Sequence, residues 1–332
     1  MQIGIIGVGR IGSTHARTLT RRPDIARVVL YDADPSRAKA WADEVAGLCV
    51  DSLEAMLSLG LDGVVIASAS DTHAELVSTL ATSGIPIFCE KPVAPDLDGT
   101  LRVLQIVRDM GALVQVGFQR RFDPGYLRAK RAVESGELGQ LRRVHTVTAD
   151  PAPPPEDYVP VSGGIYRDCL IHDWDAIRYV TGLEVENVYA LGANRGASVF
   201  AQNEDVDETT VLLTLDDGTL VTSQGSRYNG AGYDARMEIA GTASTLVVGL
   251  DQATPVTSAE PAAAFPEGPA QQGFQSRFAS AYEAEMSAFI DLVRGADSPC
   301  TVADALEALY VAEAATLSRR EQRRVTLSEV RR

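Results

Sequence analysis

The chain is poor in the residues that build covalent or metal-clamped scaffolds. Among 332 residues there are four cysteines and four histidines. Cys49, Cys89, Cys169 and Cys300 are widely scattered with no CxxC spacing, so disulfides would have to pair across the whole chain, and reduced thiols are the simpler expectation. His15, His73, His145 and His172 form no HExxH or His-x-His cluster, so no metal is expected. Basic residues are also in deficit: 30 Lys and Arg stand against 45 Asp and Glu, a formal net charge of −15. That balance argues against sequence-independent binding to nucleic acid or anionic membranes, both of which need a basic patch, and leaves small polar ligands. No apolar run approaches the ~20 residues that span a bilayer. The first strand pattern starts at residue 2, so no signal peptide is expected and the location read from the sequence is cytoplasmic. What remains, 45% hydrophobic over this length, suits a globular chain of two domains.

The N-terminus carries a recognisable constellation. Gln2 to Ile6 reads as a short buried strand, followed at once by Gly7-Val8-Gly9-Arg10-Ile11-Gly12, a GxGxxG loop opening a helix. Gly7 permits the tight turn, Gly9 lets a pyrophosphate approach the amides near Arg10 and Ile11, and Gly12 allows close helix–strand packing. A second apolar strand, Arg27 to Tyr31, ends at Asp32, where an acid accepts from the adenosine ribose hydroxyls and repels a 2′-phosphate. NAD is therefore expected over NADP. The alternative is that Asp32 merely opens the turn Asp32-Ala33-Asp34-Pro35 and caps the following helix.

Strands at Val64–Ser68, Ile85–Cys89 and Leu113–Val116, with helices near 36–46, 72–83 and 96–110, complete an alternation that means a parallel, doubly wound Rossmann sheet over residues 1–118. Ligands of such a sheet lie at the carboxyl ends of its strands, which points to the loops after Ile6, Tyr31, Ser68 and Cys89. The last of these holds Glu90-Lys91-Pro92. A lysine there can stabilise negative charge on a reacting oxygen; an arbitrary Glu-Lys-Pro reads first as exposed charge at a turn, and its place at the ligand edge reverses that preference. The Lys91-Pro92 bond is predicted to be cis.

Residues 119–332 change character, with a helix near 124–136, a strand from Arg142 to Thr148, and strands near 185–193, 208–215, 219–226, 235–241 and 244–248. Helices at about 277–294 and 302–320 follow an irregular 252–273. This is an α+β domain with an open, mainly antiparallel sheet. Its most informative stretch follows Gly163-Gly164: Asp168, His172 and Asp175 fall at i, i+4 and i+7, opposite Leu170, Trp174 and Ile177. A carboxylate one turn before an imidazole can fix its tautomer and raise its basicity, as a general base for a hydroxyl proton requires.

These residues together resemble the Gfo/Idh/MocA oxidoreductase family, and within it the inositol dehydrogenase pattern. The likeness spans nearly the whole chain and is carried by GVGRIG, Ser70-Asp71-Thr72-His73, Glu90-Lys91-Pro92, the run from Gly117 to Pro124, and above all Asp150 to Asp175. It implies catalytic Lys91, Asp168 and His172, and cofactor contacts that include Ser68, His73, Glu90 and Gln119. Gln119 departs from the family's usual Asn. Arg121, Asp175 and Tyr233 match positions that hold substrate hydroxyls. Asp157, in the proline-rich loop, is added as a hydroxyl contact or else is simply solvated. His73 either touches the nicotinamide ribose or lies beside a helix start capped by Asp71 or Thr72. The implied activity is NAD-dependent oxidation of an inositol ring hydroxyl in a homo-oligomer, dimer or tetramer, packed sheet face to sheet face. Turnover of another cyclic polyol, sugar or amino sugar is the alternative, and a non-catalytic NAD-sensing regulator is the third reading.

Overall fold

The computed structural model describes residues 1–263, 266 and 268–332. In chain order the first part comprises β1 (Gln2–Ile6), α1 (Arg10–Thr20), β2 (Arg27–Tyr31), α2 (Pro35–Val45), β3 (Leu48–Cys49), α3 (Leu53–Leu57), β4 (Gly63–Ile66), α4 (Ser70–Ala81), β5 (Ile87–Glu90), α5 (Leu97–Met110) and β6 (Val114–Gly117). Its six strands pair in the order β3-β2-β1-β4-β5-β6, all parallel. Both faces of a parallel sheet are covered, which is why β4 and β5 are buried at every position. Helix α2 starts where Asp34, with Pro35 behind it, accepts from the amides of Ser36 and Arg37. Asp34 is thus the cap, and Asp32 is left for another task.

The rest comprises α6 (Pro124–Glu134), β7 (Leu141–Ala149), α7 (Ile171–Thr181), β8 (Val185–Ala193), α8 (Ser198–Gln202), β9 (Glu208–Leu215), β10 (Leu220–Ser226), β11 (Asp234–Gly241), β12 (Thr245–Val248), α9 (Phe274–Arg277), α10 (Ala279–Val293), α11 (Val302–Glu321) and β13 (Val325–Thr326). The second sheet runs β12-β11-β7-β10-β9-β8-β13 and is antiparallel except where β10 meets β7. Burial alternates along β9 and β10, so one face is packed and the other is open, with Leu191, Leu212 and Leu220 exposed on it.

The structure corrects the sequence reading in three places. The short β3, α3, α8 and β13 were not anticipated. The chain forms two compact units, but residues 280–306 belong with residues 1–119, and only 120–279 and 307–332 form the second unit. The physical reason is packing: Met286, Phe289, Ile290 and Leu292 of α10 join the core of Ile3, Ile5, Leu30 and Phe88. The third correction concerns Asp168, which lies on a π-helical turn, Tyr166–Leu170, that leads into α7 rather than on a regular α-helix. Of the irregular 252–273 stretch, residues 264, 265 and 267 lie outside the described residues, and the others form neither helix nor strand.

Candidate active site

The expected site residues divide between the two units. In the first, the loop after β1 is built around its glycines. Gly7 has φ +87°, and a Cβ there would stand 2.5 Å from the Ser68 backbone. A Cβ on Gly12 would fall 2.0 Å from the Gly7 carbonyl oxygen. Gly9 differs: a Cβ there would meet no protein atom within 4 Å. The fold itself does not require glycine at that position, whereas close approach of a dinucleotide pyrophosphate does. Asp32 is buried, and its carboxylate accepts from the Val8 amide at 2.8 Å and the Asp34 amide at 2.9 Å, with the half-exposed Arg37 guanidinium at 3.3 Å. It therefore ties the glycine loop to the end of β2 and does not cap α2.

The Ser68 loop and the Glu90-Lys91-Pro92 loop are joined by His73. Its ring is buried, with Nδ1 2.7 Å from the Pro92 carbonyl and Nε2 3.2 Å from the Ser68 carbonyl. Both carbonyls only accept, so a ring with one N–H donates to one of them, Nδ1 to Pro92 being the shorter contact, and His73 lies between the two loops. Helix α4 has Ala69 at its N-cap with no side-chain cap, so neither Asp71 nor Thr72 plays that part; the Thr72 hydroxyl meets Ser68 Oγ at 2.7 Å. The Lys91–Pro92 bond is cis. Glu90 turns its carboxylate inward to His15 Nε2 at 2.7 Å. Gln119 is buried in the 3-10 turn that follows β6.

In the second unit, Asp168 is held from two sides. Its Oδ2 accepts from Nη2 of Arg227 at 2.9 Å, and its Oδ1 accepts from the Tyr158 hydroxyl at 3.0 Å. The other Arg227 nitrogen, Nη1, reaches Asp150 at 3.2 Å and the Cys169 sulfur at 2.8 Å. Burial raises the Asp150 carboxyl and the Asp168 charge adds to the rise, against the lowering effect of Arg227. Burial raises the Tyr158 hydroxyl too, as does Asp168, so Tyr158 remains a donor. His172 is half-buried at the start of α7. Asp175 is fully buried and its carboxylate is clasped by Arg121 at 2.6–3.1 Å. The front of the segment is therefore not an exposed titratable face: a buried ion pair occupies it. Tyr233 is buried, with its hydroxyl raised by that burial. Asp157 is exposed, and it is the neighbouring Tyr158 that turns to Asp168.

Residues 1–118 match a family model described as an oxidoreductase family with an NAD-binding Rossmann fold, and residues 126–247 match a GFO/IDH/MocA C-terminal domain. The chain belongs to the Gfo/Idh/MocA oxidoreductase family. Among its relatives is the inositol 2-dehydrogenase of Rhizobium meliloti, 34% identical with 99% of each chain covered. The solved myo-inositol dehydrogenase of Corynebacterium glutamicum superposes with a TM-score of 0.91 at 32% identity over 98% of both chains. A scyllo-inositol dehydrogenase of Lactobacillus casei, solved with NAD(H) and scyllo-inositol bound, gives a TM-score of 0.88 at 28% identity over 99% of both chains.

Within this family frame, the sequence reading missed Arg227, Asp150 and Tyr158. Arg227 follows β10 with no motif around it, and nothing local marks it as a partner of Asp168, 59 residues away. The buried Arg120–Asp173 pair, 2.8 Å apart and bonded to Thr148, was also missed. In the sequence Asp173 stands between His172 and Trp174 with Asp175 two residues on, and nothing local shows that its partner Arg120 lies 53 residues away.

Proposed function

We propose that the chain catalyses NAD-dependent oxidation of a ring hydroxyl of an inositol, converting myo-inositol to its 2-keto product. NAD, when bound, supplies the hydride acceptor. His172 takes the hydroxyl proton, Asp168 orients the imidazole and stabilises the imidazolium, and Lys91 stabilises oxyanion character on the substrate oxygen. Arg121, Asp157, Asp175 and Tyr233 read the other hydroxyls, since an epimer is rejected by stranding a buried polar partner. Asp157, being exposed, has the smallest part in this. Gly7, Gly9, Gly12 and the amides of Arg10 and Ile11 hold the pyrophosphate, and Asp32 holds the ribose.

The observation that carries the reading is the clamping of Asp168 by Arg227 and Tyr158, four residues before His172. A carboxylate fixed in this way is suited to orienting a base. The inositol dehydrogenases among its relatives support the choice of substrate. The particle in this reading is a cytoplasmic homo-oligomer, dimer or tetramer, built on the open sheet face. Among the described residues, no helix is long and apolar enough to cross a membrane. The test is NADH formation, followed by absorbance, with NAD or NADP and a panel of myo-, scyllo- and chiro-inositol, glucose and xylose. Rapid NAD-dependent oxidation of myo-inositol supports the reading. Turnover of a sugar alone replaces the substrate, and NADH binding with no turnover favours a sensor.

A further inference from the structure

The first unit contains a buried titratable cluster that the mechanism above does not use. His15 lies on α1, one turn after the glycine loop; Glu90 is the last residue of β5; Glu285 lies on α10. His15 and Glu285 are fully buried, and a donor atom from each of the three lies within 4.8 Å of the others. His15 Nε2 meets Glu90 Oε1 at 2.7 Å, between the rings of Phe88 and Tyr282. A Cβ on Gly117 would stand 2.8 Å from Glu90 Oε2, so the carboxylate is wedged against the β6 backbone. Gln115 of β6 donates its amide to the Glu285 main-chain oxygen at 3.1 Å, and both Glu285 carboxyl oxygens are buried without a hydrogen-bond partner.

We infer that Glu285 is a neutral carboxylic acid that completes a positioning unit with His15 and Glu90, and that this unit fixes the strand end from which Lys91 projects. Two ionised carboxylates beside one imidazole would leave an uncompensated charge in the interior, where each ion costs several kcal/mol to desolvate. Glu90 has the imidazole as partner and retains some exposure. Glu285 has neither and takes the proton. Burial and the neighbouring Glu90 charge both push its carboxyl well above the usual range. The titratable groups beside it are His15 from α1 and Glu90 from β5, with Gln115 of β6 bonded to its main chain and Tyr282 edge-on to His15. The unit joins the helix that opens at the pyrophosphate loop to the residue preceding Lys91, with α10 closing it from behind. A shift of any member displaces the lysine backbone, and small displacements of a reacting group cost about a hundredfold in rate.

The inference rests on the proposed role of Lys91 only in its second half, and the experiment separates the two. Wild type, Glu285→Gln, Glu285→Ala and Glu90→Gln are compared by thermal midpoint between roughly pH 5 and pH 8, by NADH affinity from fluorescence, and by kcat and KM. Because the folded carboxyl holds its proton above the unfolded value, the Glu285 contribution to stability is fully present at low pH and is lost as pH rises from the unfolded value toward the folded pKa. Glu285→Gln, already neutral, lacks that slope, so its midpoint should gain on wild type steadily with pH. Glu285→Ala and Glu90→Gln should lower kcat about tenfold or more while changing NADH affinity less than about threefold, and Glu285→Gln should restore most of the kcat that alanine loses. A midpoint difference that is flat with pH overturns the neutral acid. So does one equivalent of divalent metal in purified wild type that Glu285→Gln loses, since the cluster would then be a ligand set. Glutamine as damaging as alanine to kcat overturns the positioning role. If no polyol is oxidised, the midpoint arm still decides the protonation state.

Discussion

Replacing Arg227 with methionine is the sharpest perturbation of the substrate-side unit. The guanidinium is 2% exposed and binds Asp168, Asp150 and Cys169. Removing one partner of a buried charge pair costs about 3–5 kcal/mol because the other charge is left uncompensated. Here the Asp150 and Asp168 side chains retain 25% and 14% exposure, so water relieves part of the cost. The lower end, about 3 kcal/mol, is the expected loss, or a fall of about 6–12 °C in the midpoint of the unit that contains it. Turnover should fall about a hundredfold, because Asp168 loses the guanidinium that fixes its Oδ2. The pH dependence has a definite sign. Arg227 lowers the Asp150 carboxyl while burial and Asp168 raise it. Without the cation its lowering effect on Asp150 is lost, that carboxyl rises further, and the acid limb of the rate profile moves to higher pH. Arg227→Lys keeps the charge but not the fork, and should fall between the two. Steady-state kinetics across pH with a differential-scanning melt decide the matter. Wild-type turnover and midpoint in Arg227→Met, or an acid limb that does not move, would refute the reasoning.

The glycine loop offers a paired test: Gly9→Ala should leave the apo-protein midpoint within about 2 °C yet weaken NADH binding about tenfold or more, whereas Gly12→Ala, whose Cβ would strike the Gly7 carbonyl, should lower both. Fluorescence titration and melts of the two variants separate cofactor approach from packing. Asp32→Ala removes the acid and frees Arg37, so the kcat/KM ratio of NAD to NADP should fall about tenfold or more, read by parallel assays with each cofactor. Asp175→Asn strands the buried Arg121 charge and should cost about 3–5 kcal/mol in urea unfolding. Asp157→Asn should change substrate KM less than about twofold, since the side chain is exposed; a larger rise would restore it to the pocket.

The dinucleotide unit was legible because its signals are local. Strands β4 and β5 are short continuous apolar runs, and the glycine loop, Asp32 and the Glu-Lys-Pro loop sit at strand ends where a doubly wound sheet presents ligands. The elements β3, α3, α8 and β13 escaped because segments of two to five residues are too short to show a period. Helix α10 was correctly read as a helix, but amphipathic spacing says nothing of which core a helix will join, and Phe289 and Ile290 join the first. The i, i+4, i+7 spacing of Asp168, His172 and Asp175 drew attention to the segment on which the proposed base lies. It could not show that a π turn underlies it, or that Asp175 lies inside against Arg121. Partners brought together by tertiary structure leave no spacing signal, and Arg227 with Asp168 and His15 with Glu285 are of that kind.

The central claim is that His172 is the proton acceptor of an NAD-dependent polyol oxidation, and it is tested most directly by His172→Ala. Turnover with myo-inositol and NADH affinity are measured side by side on the same preparation. The account expects kcat to fall about a thousandfold while the NADH dissociation constant changes less than about threefold. Retained turnover, or an equal loss of turnover and cofactor binding, would contradict it.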